Sequence, residues 1–451
     1  EPFGRNRWAL TVAESQQPYF TDWIGQFTLK YLLLVFVGAV LLFYEIFKKL
    51  GKRAYYITIA YTAFLLAFTL NRYSSSSTLN GETGIAIFLY IGSLIFFGLY
   101  LIYFLIDLRK NASEDYRNWL EDLNYGYIFF TLLFVLMLVG ARSAVRLLFV
   151  FAPATAILAA FAILILVKYS MNLKDKNIRY GVWIALAIFV IFILNVFTQT
   201  TMIQASSSGN SFSPQWQYGM DWVRNNTSED AVFAHWWDYG YFLQTMGERA
   251  TLTDGGNAVA GINHLIGRHL ITGQNDTEAL ELLYAKNATH VIMVSDEIGK
   301  YGAFSSIGAD ANYDRYSWIT SFGLDMTQTQ ETRNGTNLVY TGGTNLDDDF
   351  MYNGMLFPAY SSGVVGFMIP MNSDGTFKET PTVVLYNAGQ YYYAPLNCIF
   401  INGQEIDFEN ENGFNACLML IPSVSGSQVN PIGTALYLSP EVRNTWLAKH
   451  Y

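Results

Sequence analysis

The sequence predicts an α-helical transmembrane bundle followed by an α+β domain with a β-rich insertion or appended unit. Two observations support this fold class. Long apolar runs dominate residues 29–198, whereas residues 199–451 are polar and contain glycine and tyrosine throughout. Within the polar half, helix and strand patterns first alternate, and strand patterns with turn residues then predominate. This division indicates a membrane part and a separate globular part.

The membrane part contains six apolar runs that span a bilayer or nearly do so. They lie at about 31–47, 54–70, 85–106, 125–140, 147–167 and 182–198. A spanning helix needs about 20 residues, so the shorter runs must be extended by flanking Tyr, Trp or Lys side chains that snorkel. We therefore expect about six spans over residues 29–198.

Cations are distributed unequally over the loops between these runs. The loops after the first, third and fifth runs are rich in Lys and Arg, whereas the second contains only Arg72 and the fourth only Arg142 and Arg146. Positively charged loops stay on the cytoplasmic side. The sequence thus predicts a multi-pass protein of the cell membrane. Residues 1–28, interpreted as the end of a large external loop, and residues 199–451 are then both extracytoplasmic.

The polar part is predicted to divide into a mixed α/β core, residues 199–345, and a β-rich unit with a C-terminal return, residues 346–451. The predicted elements are strands at 231–234 and 290–294 and helices at 278–286 and 296–304 in the core, and strands at 382–385 and 397–401 in the β-rich unit. The net charge of −9 argues against nucleic-acid binding by this part.

Two features of the β-rich unit allow alternative interpretations. Cys398 and Cys417 either form a disulfide, as an oxidising exterior would permit, or are buried separately as small apolar side chains. The run Asp347-Asp348-Asp349 is interpreted as a solvated turn rather than as a cation site.

One string of residues indicates chemistry. Trp236-Trp237-Asp238-Tyr239-Gly240 directly follows the predicted strand at 231–234. Two indole N–H donors beside a carboxylate acceptor can converge on a single hydroxyl, which both donates and accepts. The alternative is structural, because aromatic pairs usually pack and an Asp often caps the next helix.

The string resembles the signature of the catalytic subunit of oligosaccharyltransferase, which attaches lipid-carried glycans to Asn in Asn-X-Ser/Thr. Three other segments are similar to that family in the expected order. They are Thr11-Val12-Ala13-Glu14, similar to the archaeal Thr-Ile-X-Glu motif of a large external loop; Ser143-Ala144-Val145-Arg146-Leu147, similar to the segment whose Arg contacts the lipid phosphate; and residues 249–254, which follow the aromatic motif.

The resemblance implies an enzyme, a dolichyl-(di)phosphooligosaccharide–protein glycotransferase of archaeal type. Its activity would be N-glycosylation, the transfer of an oligosaccharide en bloc from dolichyl phosphate or pyrophosphate to Asn of a sequon. The implied partners are the lipid-linked oligosaccharide, an acceptor polypeptide and the membrane, in a single-subunit enzyme. The family's use of the two Trp and the Asp carries over to Trp236, Trp237 and Asp238, which would hold the hydroxyl of the acceptor's +2 Ser/Thr.

A second family element, Asp-X-X-Lys-X-X-X-Met/Ile, lies on a helix beside that hydroxyl pocket. It aligns here with Glu297, Lys300 and Phe304, with Glu in place of Asp and Phe in place of Met/Ile. The spacings of three and four place these side chains on one helix face. Asp296 is an alternative acid with an altered spacing.

The resemblance also implies roles for Glu14 and Arg146. Glu14 would be catalytic and a ligand of a divalent cation, Mn²⁺ or Mg²⁺, although Thr-X-X-Glu is also a capping-box pattern. Arg146 would bind the lipid phosphate, the alternative being a snorkelling anchor. The family's metal-binding Asp residues lie N-terminal to this sequence. We therefore expect it to be part of a longer protein and to be inactive alone. Residues 54–106 resemble an additional membrane hairpin, since the family usually has four spans here.

Two rival functions remain at the level of the sequence. Another lipid-linked-sugar glycosyltransferase would share the membrane architecture but would not need a pocket that reads a hydroxyl. A membrane-tethered surface binding protein would fit the β-rich region, but it gives no reason for Glu14 and Arg146 at the membrane face. Transfer that depends on the sequon separates both rivals from the oligosaccharyltransferase reading.

Overall fold

The computed structural model describes residues 11–210, 212–333, 335–401, 403–410, 412–425 and 428–451. The chain divides between Gly209 and Asn210 into two compact units. Apolar helices make up most of the first unit, and the second unit is an α+β region. The predicted fold class is therefore confirmed.

The described part of the first unit is helical. Its α-helices are α1 (Phe20–Phe27), α2 (Leu29–Phe47), α3 (Lys52–Leu70), α4 (Gly84–Asn111), α5 (Ser113–Glu121), α6 (Tyr125–Ser143), α7 (Leu148–Ser170) and α8 (Lys176–Ser207). Together with short flanking turns, α2, α3, α4, α6, α7 and α8 give six spans that are long and apolar enough to cross a membrane. Each predicted apolar run lies within one of them.

Small and aromatic side chains determine how these helices pack. Helices α2 and α7 are in intimate contact at Gly38, where a Cβ atom would lie only 2.1 Å from the carbonyl oxygen of Leu158. Only glycine permits this approach. Helix α3 packs on α2 through the stacked rings of Phe43 and Tyr61, whose centroids are 4.1 Å apart. Helices α3 and α4 pair with each other as a hairpin, as the sequence predicts.

The first part of the second unit is a three-stranded parallel sheet with helices around it. The strands are β1 (Val232–Ala234), β2 (Ala250–Thr251) and β3 (His290–Val291), in the order β2-β1-β3. The helices are α9 (Pro214–Asn226), α10 (Gly240–Thr245), α11 (Ala260–Leu265), α12 (Asp276–Ala285) and α13 (Glu297–Gly308). Both predicted helices and both predicted strands are present, although β3 ends earlier than expected.

The second part is a closed β-barrel. Its strands are β4 (Thr320–Leu324), β5 (Gln330–Thr332), β6 (Gly335–Asn345), β9 (Gly363–Met371), β10 (Thr382–Asn387), β11 (Gln390–Ile401), β12 (Gln404–Asp407), β13 (Phe414–Ser425) and β14 (Gln428–Leu438), while β7 (Phe350–Tyr352) and β8 (Met355–Phe357) form a separate ribbon. The order β10-β9-β6-β4-β14-β13-β11 closes because β10 also pairs with β11. Among the barrel strand pairs formed by the described residues, only β11 and β13 run parallel. Two short helices, α14 (Pro440–Arg443) and α15 (Trp446–His450), follow.

The β-rich unit therefore differs from its predicted bounds. Strands β4, β5 and β6 precede residue 346 but pair with β14 and β9, so the unit begins at Thr320. The polar composition of β6, with two glycines in succession, conceals it in the sequence. The predicted strands at 382–385 and 397–401 are present within β10 and β11.

Two local questions about this unit are also decided. Cys398 and Cys417 are direct partners in the β11–β13 pairing and form a disulfide. The run Asp347-Asp348-Asp349 lies in a bend in which Asp348 and Asp349 are exposed, as expected of a solvated turn. Asp347 is half-buried, and its carboxylate accepts hydrogen bonds from the hydroxyls of Ser317 and Ser439. These bonds tie the entry and the exit of the barrel to the same carboxylate.

Candidate functional site

The residues predicted to read a hydroxyl lie at one edge of the small parallel sheet. Trp236 follows β1, and Trp237–Tyr239 form a 3₁₀ turn that leads into α10. Helix α13 begins six residues after β3 ends. Because β1 and β3 are adjacent and parallel, their carboxyl ends meet at the same edge. The aromatic string and Lys300 are thereby brought together.

Lys300 joins the carboxylates at this edge. Its Nζ atom lies 2.7 Å from Oδ2 of Asp238 and 2.9 Å from Oδ2 of Asp296. The same ammonium lies 5.1 Å from the centroid of the Tyr239 ring, and the Tyr239 hydroxyl donates to Asp296. The side chain of Asp238 remains 25% exposed. An anchored carboxylate thus faces solvent beside a cation that balances its charge.

Burial and ion pairing act in opposite directions on this cluster. Burial lowers the pKa of Lys300, but its bonds to the two carboxylates outweigh this effect and leave that pKa raised. Burial raises the pKa of Asp296, but the bonds from Tyr239 and Lys300 outweigh it and leave that pKa lowered. Burial also raises the pKa of the Tyr239 hydroxyl. At neutral pH Lys300 is therefore an ammonium, Asp296 a carboxylate and Tyr239 a neutral phenol.

The two tryptophans differ in their surroundings. Trp236 is 3% exposed, and its ring packs against Phe304 with the centroids 4.5 Å apart. Trp237 is half-buried in the 3₁₀ turn. The structural alternative predicted that the tryptophans pack and that the Asp caps a helix. Trp236 does pack against another aromatic ring, but Asp238 pairs with Lys300 and caps no helix.

Gly240 allows the string to turn back against the sheet. A Cβ atom at this position would lie 2.5 Å from the carbonyl oxygen of Thr253 and 2.6 Å from Cα of Asp254. Both are atoms of the backbone after β2, which cannot move aside like the end of a long side chain. Glycine at the end of the string thus fixes how closely the Asp238 turn approaches its support.

The acid beside Lys300 is Asp296 rather than Glu297. Glu297 is 2% exposed and accepts a hydrogen bond from the Val294 N–H at 3.1 Å, at the start of α13. Burial is the main reason that the pKa of Glu297 rises to about 7. The predicted alignment, which placed Glu297 beside Lys300, thus needs correction. The acid that faces the Lys300 ammonium is Asp296, one residue earlier in the chain. The i,i+4 spacing of Asp296 and Lys300 was the available signal.

Glu14 and Arg146 belong to the first unit and lie in two short 3₁₀ turns, Ala13–Ser15 and Val145–Leu147. The two turns pack against each other, and the Val145 N–H donates to the carbonyl oxygen of Gln16 at 2.9 Å. Val12 is the N-cap of the first turn and makes no side-chain capping bond, so no capping box forms there. Both Glu14 and Arg146 are exposed.

Two places in the described structure offer candidate ligands for the expected divalent cation. The exposed Glu14 carboxylate suits Mn²⁺ or Mg²⁺, which prefer oxygen ligands, but it supplies only one carboxylate group. Cys398, Glu405 and Cys417 also lie close together. Their two sulfur atoms are joined in the disulfide and are therefore not thiolate ligands. Among the described residues, Glu14 is the better candidate ligand.

The segment that carries the aromatic string is similar to a known family. The model of the STT3/PglB/AglB core domain matches residues 228–301, from the residues before β1 to the first part of α13. Dolichyl-phosphooligosaccharide-protein glycotransferase 1 of Pyrococcus horikoshii is 27% identical over 247 residues, covering 52% of this chain and 23% of that protein. Glycotransferase 2 of the same organism is 24% identical over 294 residues, covering 62% of this chain and 34% of that protein.

A solved structure is also similar in part. It is the archaeal oligosaccharyltransferase AglB from Archaeoglobus fulgidus in complex with an inhibitory peptide and a dolichol-phosphate. The similarity covers 76% of this chain and 52% of that chain, at 14% identity and a TM-score of 0.39. The chain spans about a quarter of the length of the first Pyrococcus relative and about a third of the second.

Proposed function

We propose that this chain is part of the catalytic subunit of an oligosaccharyltransferase of archaeal type. The protein would transfer an oligosaccharide en bloc from dolichyl phosphate or pyrophosphate to Asn of Asn-X-Ser/Thr. The observation that carries this proposal is the pairing of Asp238 with Lys300 at the edge of the parallel sheet, within the segment that matches the family model. Two relatives of this chain are named as glycotransferases of that kind.

The proposed role of this edge is to select the acceptor by its +2 hydroxyl. A Ser or Thr hydroxyl donates one hydrogen bond and accepts others. The partly exposed carboxylate of Asp238 would accept a hydrogen bond from the hydroxyl, and the indole N–H groups of Trp236 and Trp237 would donate to the hydroxyl oxygen. Lys300 would hold the Asp238 side chain in its orientation. Phe304 packs against the Trp236 ring and would hold it in place.

The proposed roles in the first unit concern the glycan donor. Arg146 would bind the lipid phosphate, for which its guanidinium has the matching geometry. Glu14 would supply one oxygen ligand to Mn²⁺ or Mg²⁺ and would engage the acceptor amide. When bound, such a cation stabilises the charge that develops on the departing phosphate. The contact between the Glu14 and Arg146 turns supports a shared role.

We propose that the N-terminal loop and the second unit are extracytoplasmic in a multi-pass, single-subunit membrane enzyme. The distribution of Lys and Arg over the connecting loops supports this orientation, and an even number of spans returns the chain to the side from which it started. The second unit would then meet acceptor polypeptides on the side where the lipid-linked glycan is presented.

The test is transfer to sequon peptides by the full-length protein. Asp238→Ala should abolish transfer to an Asn-X-Thr peptide, because the hydroxyl then loses its acceptor. Asp221→Asn is the matched control, since Asp221 is an exposed carboxylate in a surface ion pair with Arg224. Wild-type transfer by the Asp238→Ala variant would contradict the proposal.

Photocrosslinking separates the rival functions. An Asn-X-Thr peptide with a photoactivatable group should label the wild-type protein, whereas the Asn-X-Ala peptide should not. Equal labelling by both peptides would favour a nonspecific surface binding protein. Glycan transfer without any dependence on the +2 residue would favour another lipid-linked-sugar glycosyltransferase.

A further inference from the structure

Helices α3 and α4 form a hairpin, residues 52–111, to which the proposed reaction gives no role. The loop between them is well structured. Arg72 and Asn80 form an antiparallel bridge, and the Tyr73 N–H donates to the carbonyl oxygen of Leu79 at 2.6 Å. The Thr83 side chain caps the start of α4. An ordered loop of this kind can hold a neighbouring segment in place.

The hairpin loop is bonded to the segment that leaves the Glu14 turn. The carbonyl oxygens of Arg72 and Tyr73 accept the N–H groups of Phe20 and Thr21 at 2.8 and 3.2 Å. The guanidinium of Arg72 also lies over the ring of Tyr19, 4.3 Å from its centroid. These contacts fix the chain only a few residues after Glu14 and after Gln16, which accepts the bond from the Arg146 turn.

A buried arginine provides the second attachment. Arg142 is 6% exposed, and its guanidinium donates to Oδ1 of Asn71 at 2.6 Å and lies over the Tyr90 ring. Asn71 and Tyr90 both belong to the hairpin. Among the residues that the structure describes, no carboxylate pairs with Arg142, and its Nε atom is buried without a hydrogen-bond partner. A charged side chain is expensive inside a helix bundle and by default indicates a function.

The position of Arg142 indicates what that function is. It is the second-last residue of α6 and precedes the turn that carries Arg146. Its partner Asn71 is itself fixed, because the Asn71 amide donates to the carbonyl oxygens of Ala67 and Phe68 at the end of α3. The hairpin thus holds the Arg146 turn through Arg142 and the Glu14 segment through its loop.

We propose that the hairpin positions Glu14 and Arg146 relative to each other, with Arg142 and Arg72 as positioning residues. The inference rests on the proposed function for the roles of Glu14 and Arg146, but the attachment itself is a property of the bundle. Without it, both turns keep their side chains but lose the support that aligns them. The effect should therefore fall on the rate of transfer and not on the binding of the acceptor peptide.

The experiment compares variants of the full-length protein in lipid nanodiscs. Arg142→Met removes the bond to Asn71 at similar length, and Arg142→Lys restores a donor. Arg109→Met is the matched control, because Arg109 is exposed near the other end of α4. We expect amide hydrogen exchange over residues 16–21 and 145–147 to become about ten-fold faster in Arg142→Met, as the loss of one buried charged hydrogen bond predicts. Exchange over residues 232–245 should not change.

Kinetics provide the second measurement. In Arg142→Met, kcat should fall about ten-fold, while KM for the Asn-X-Thr peptide stays the same and Arg142→Lys recovers most of the rate. The proposed attachment would be overturned if hydrogen exchange over residues 16–21 is unchanged in Arg142→Met. It would also be overturned if exchange in Arg142→Met changes equally in both units, or if Arg109→Met shows the same change as Arg142→Met. Faster exchange with an unchanged kcat would overturn its role in positioning. If the wild-type protein transfers no glycan, the proposed function fails, and the exchange measurement still decides whether the attachment exists.

Discussion

Replacing Gly240 by Ala tests the geometry on which the acceptor site depends. The new Cβ atom would lie 2.5 Å from the carbonyl oxygen of Thr253, about 1 Å closer than an ordinary contact. Either the Asp238 turn or the backbone after β2 must move by that amount. Overpacking of a rigid neighbour costs about 1–3 kcal/mol, and we expect about 3 kcal/mol because the neighbour is backbone.

Thermal unfolding of the full-length protein measures this cost. For a domain of the size of the second unit, Asn210–Tyr451, a loss of 3 kcal/mol corresponds to a fall in Tm of about 6–12 °C. Gly299→Ala is the control, since no atom lies within 4 Å of its added Cβ and the residue is in helix α13. It should be neutral or stabilising by up to about 1 kcal/mol. A Tm for Gly240→Ala within about 1 °C of the wild-type value would refute the described approach of the turn to its support.

Two further predictions concern the second unit. The pKa of Glu297 is about 7 in the folded protein, above the ordinary 4.5, so the unfolded chain loses this proton first as pH rises. The free energy of unfolding should therefore fall by up to about 3 kcal/mol between pH 4.5 and 7 and should not recover above pH 7. Glu297→Gln should remove that fall, since its side chain can still accept the hydrogen bond from the Val294 N–H. Parallel Tm profiles against pH for both proteins would contradict this. The Cys398–Cys417 disulfide spans a sequence separation of 19 residues, so reduction should cost about 3 kcal/mol, and the Tm of the double Ala variant should not respond to reductant.

The sequence predicted those features that depend on local pattern. An apolar run of about 20 residues has only one common solution in a membrane, a helix, because its backbone groups must bond within the segment. The six spans among the described residues were predicted for this reason. The family resemblance implied that Lys300 lies beside the Asp238 pocket. The structure brings the two together because they follow β1 and β3, which are adjacent and parallel.

Features that depend on distant contacts were not predictable. In the sequence, Arg142 contributed only to the number of cations in its loop. Its hydrogen bond to Asn71 could not be predicted, because Asn71 lies 71 residues away and no local pattern connects the two. Closure of the barrel depends similarly on the pairing of β10 with both β9 and β11. The alignment with the motif took Glu297 as the acid and kept Asp296 as the alternative, because motif spacing does not show where a helix begins. The structure places that start at Glu297 and turns Asp296 toward the cation.

The parallel pairing of β1 with β3 has a consequence for how this part of the protein can change over time. The roots of the two functional segments are held one strand spacing apart by the backbone bonds between β1 and β3, although 55 residues separate the end of β1 from the start of β3. The Thr289 hydroxyl and the stacked rings of Phe233 and His290 add side-chain contacts between the two strands. Insertions or deletions in the intervening helices leave those roots where they are. Natural variation and protein engineering can therefore lengthen the turns that join the intervening elements while the spacing of Asp238 and Lys300 is inherited unchanged, provided that β2 and the backbone of Thr253 and Asp254 that supports Gly240 are kept.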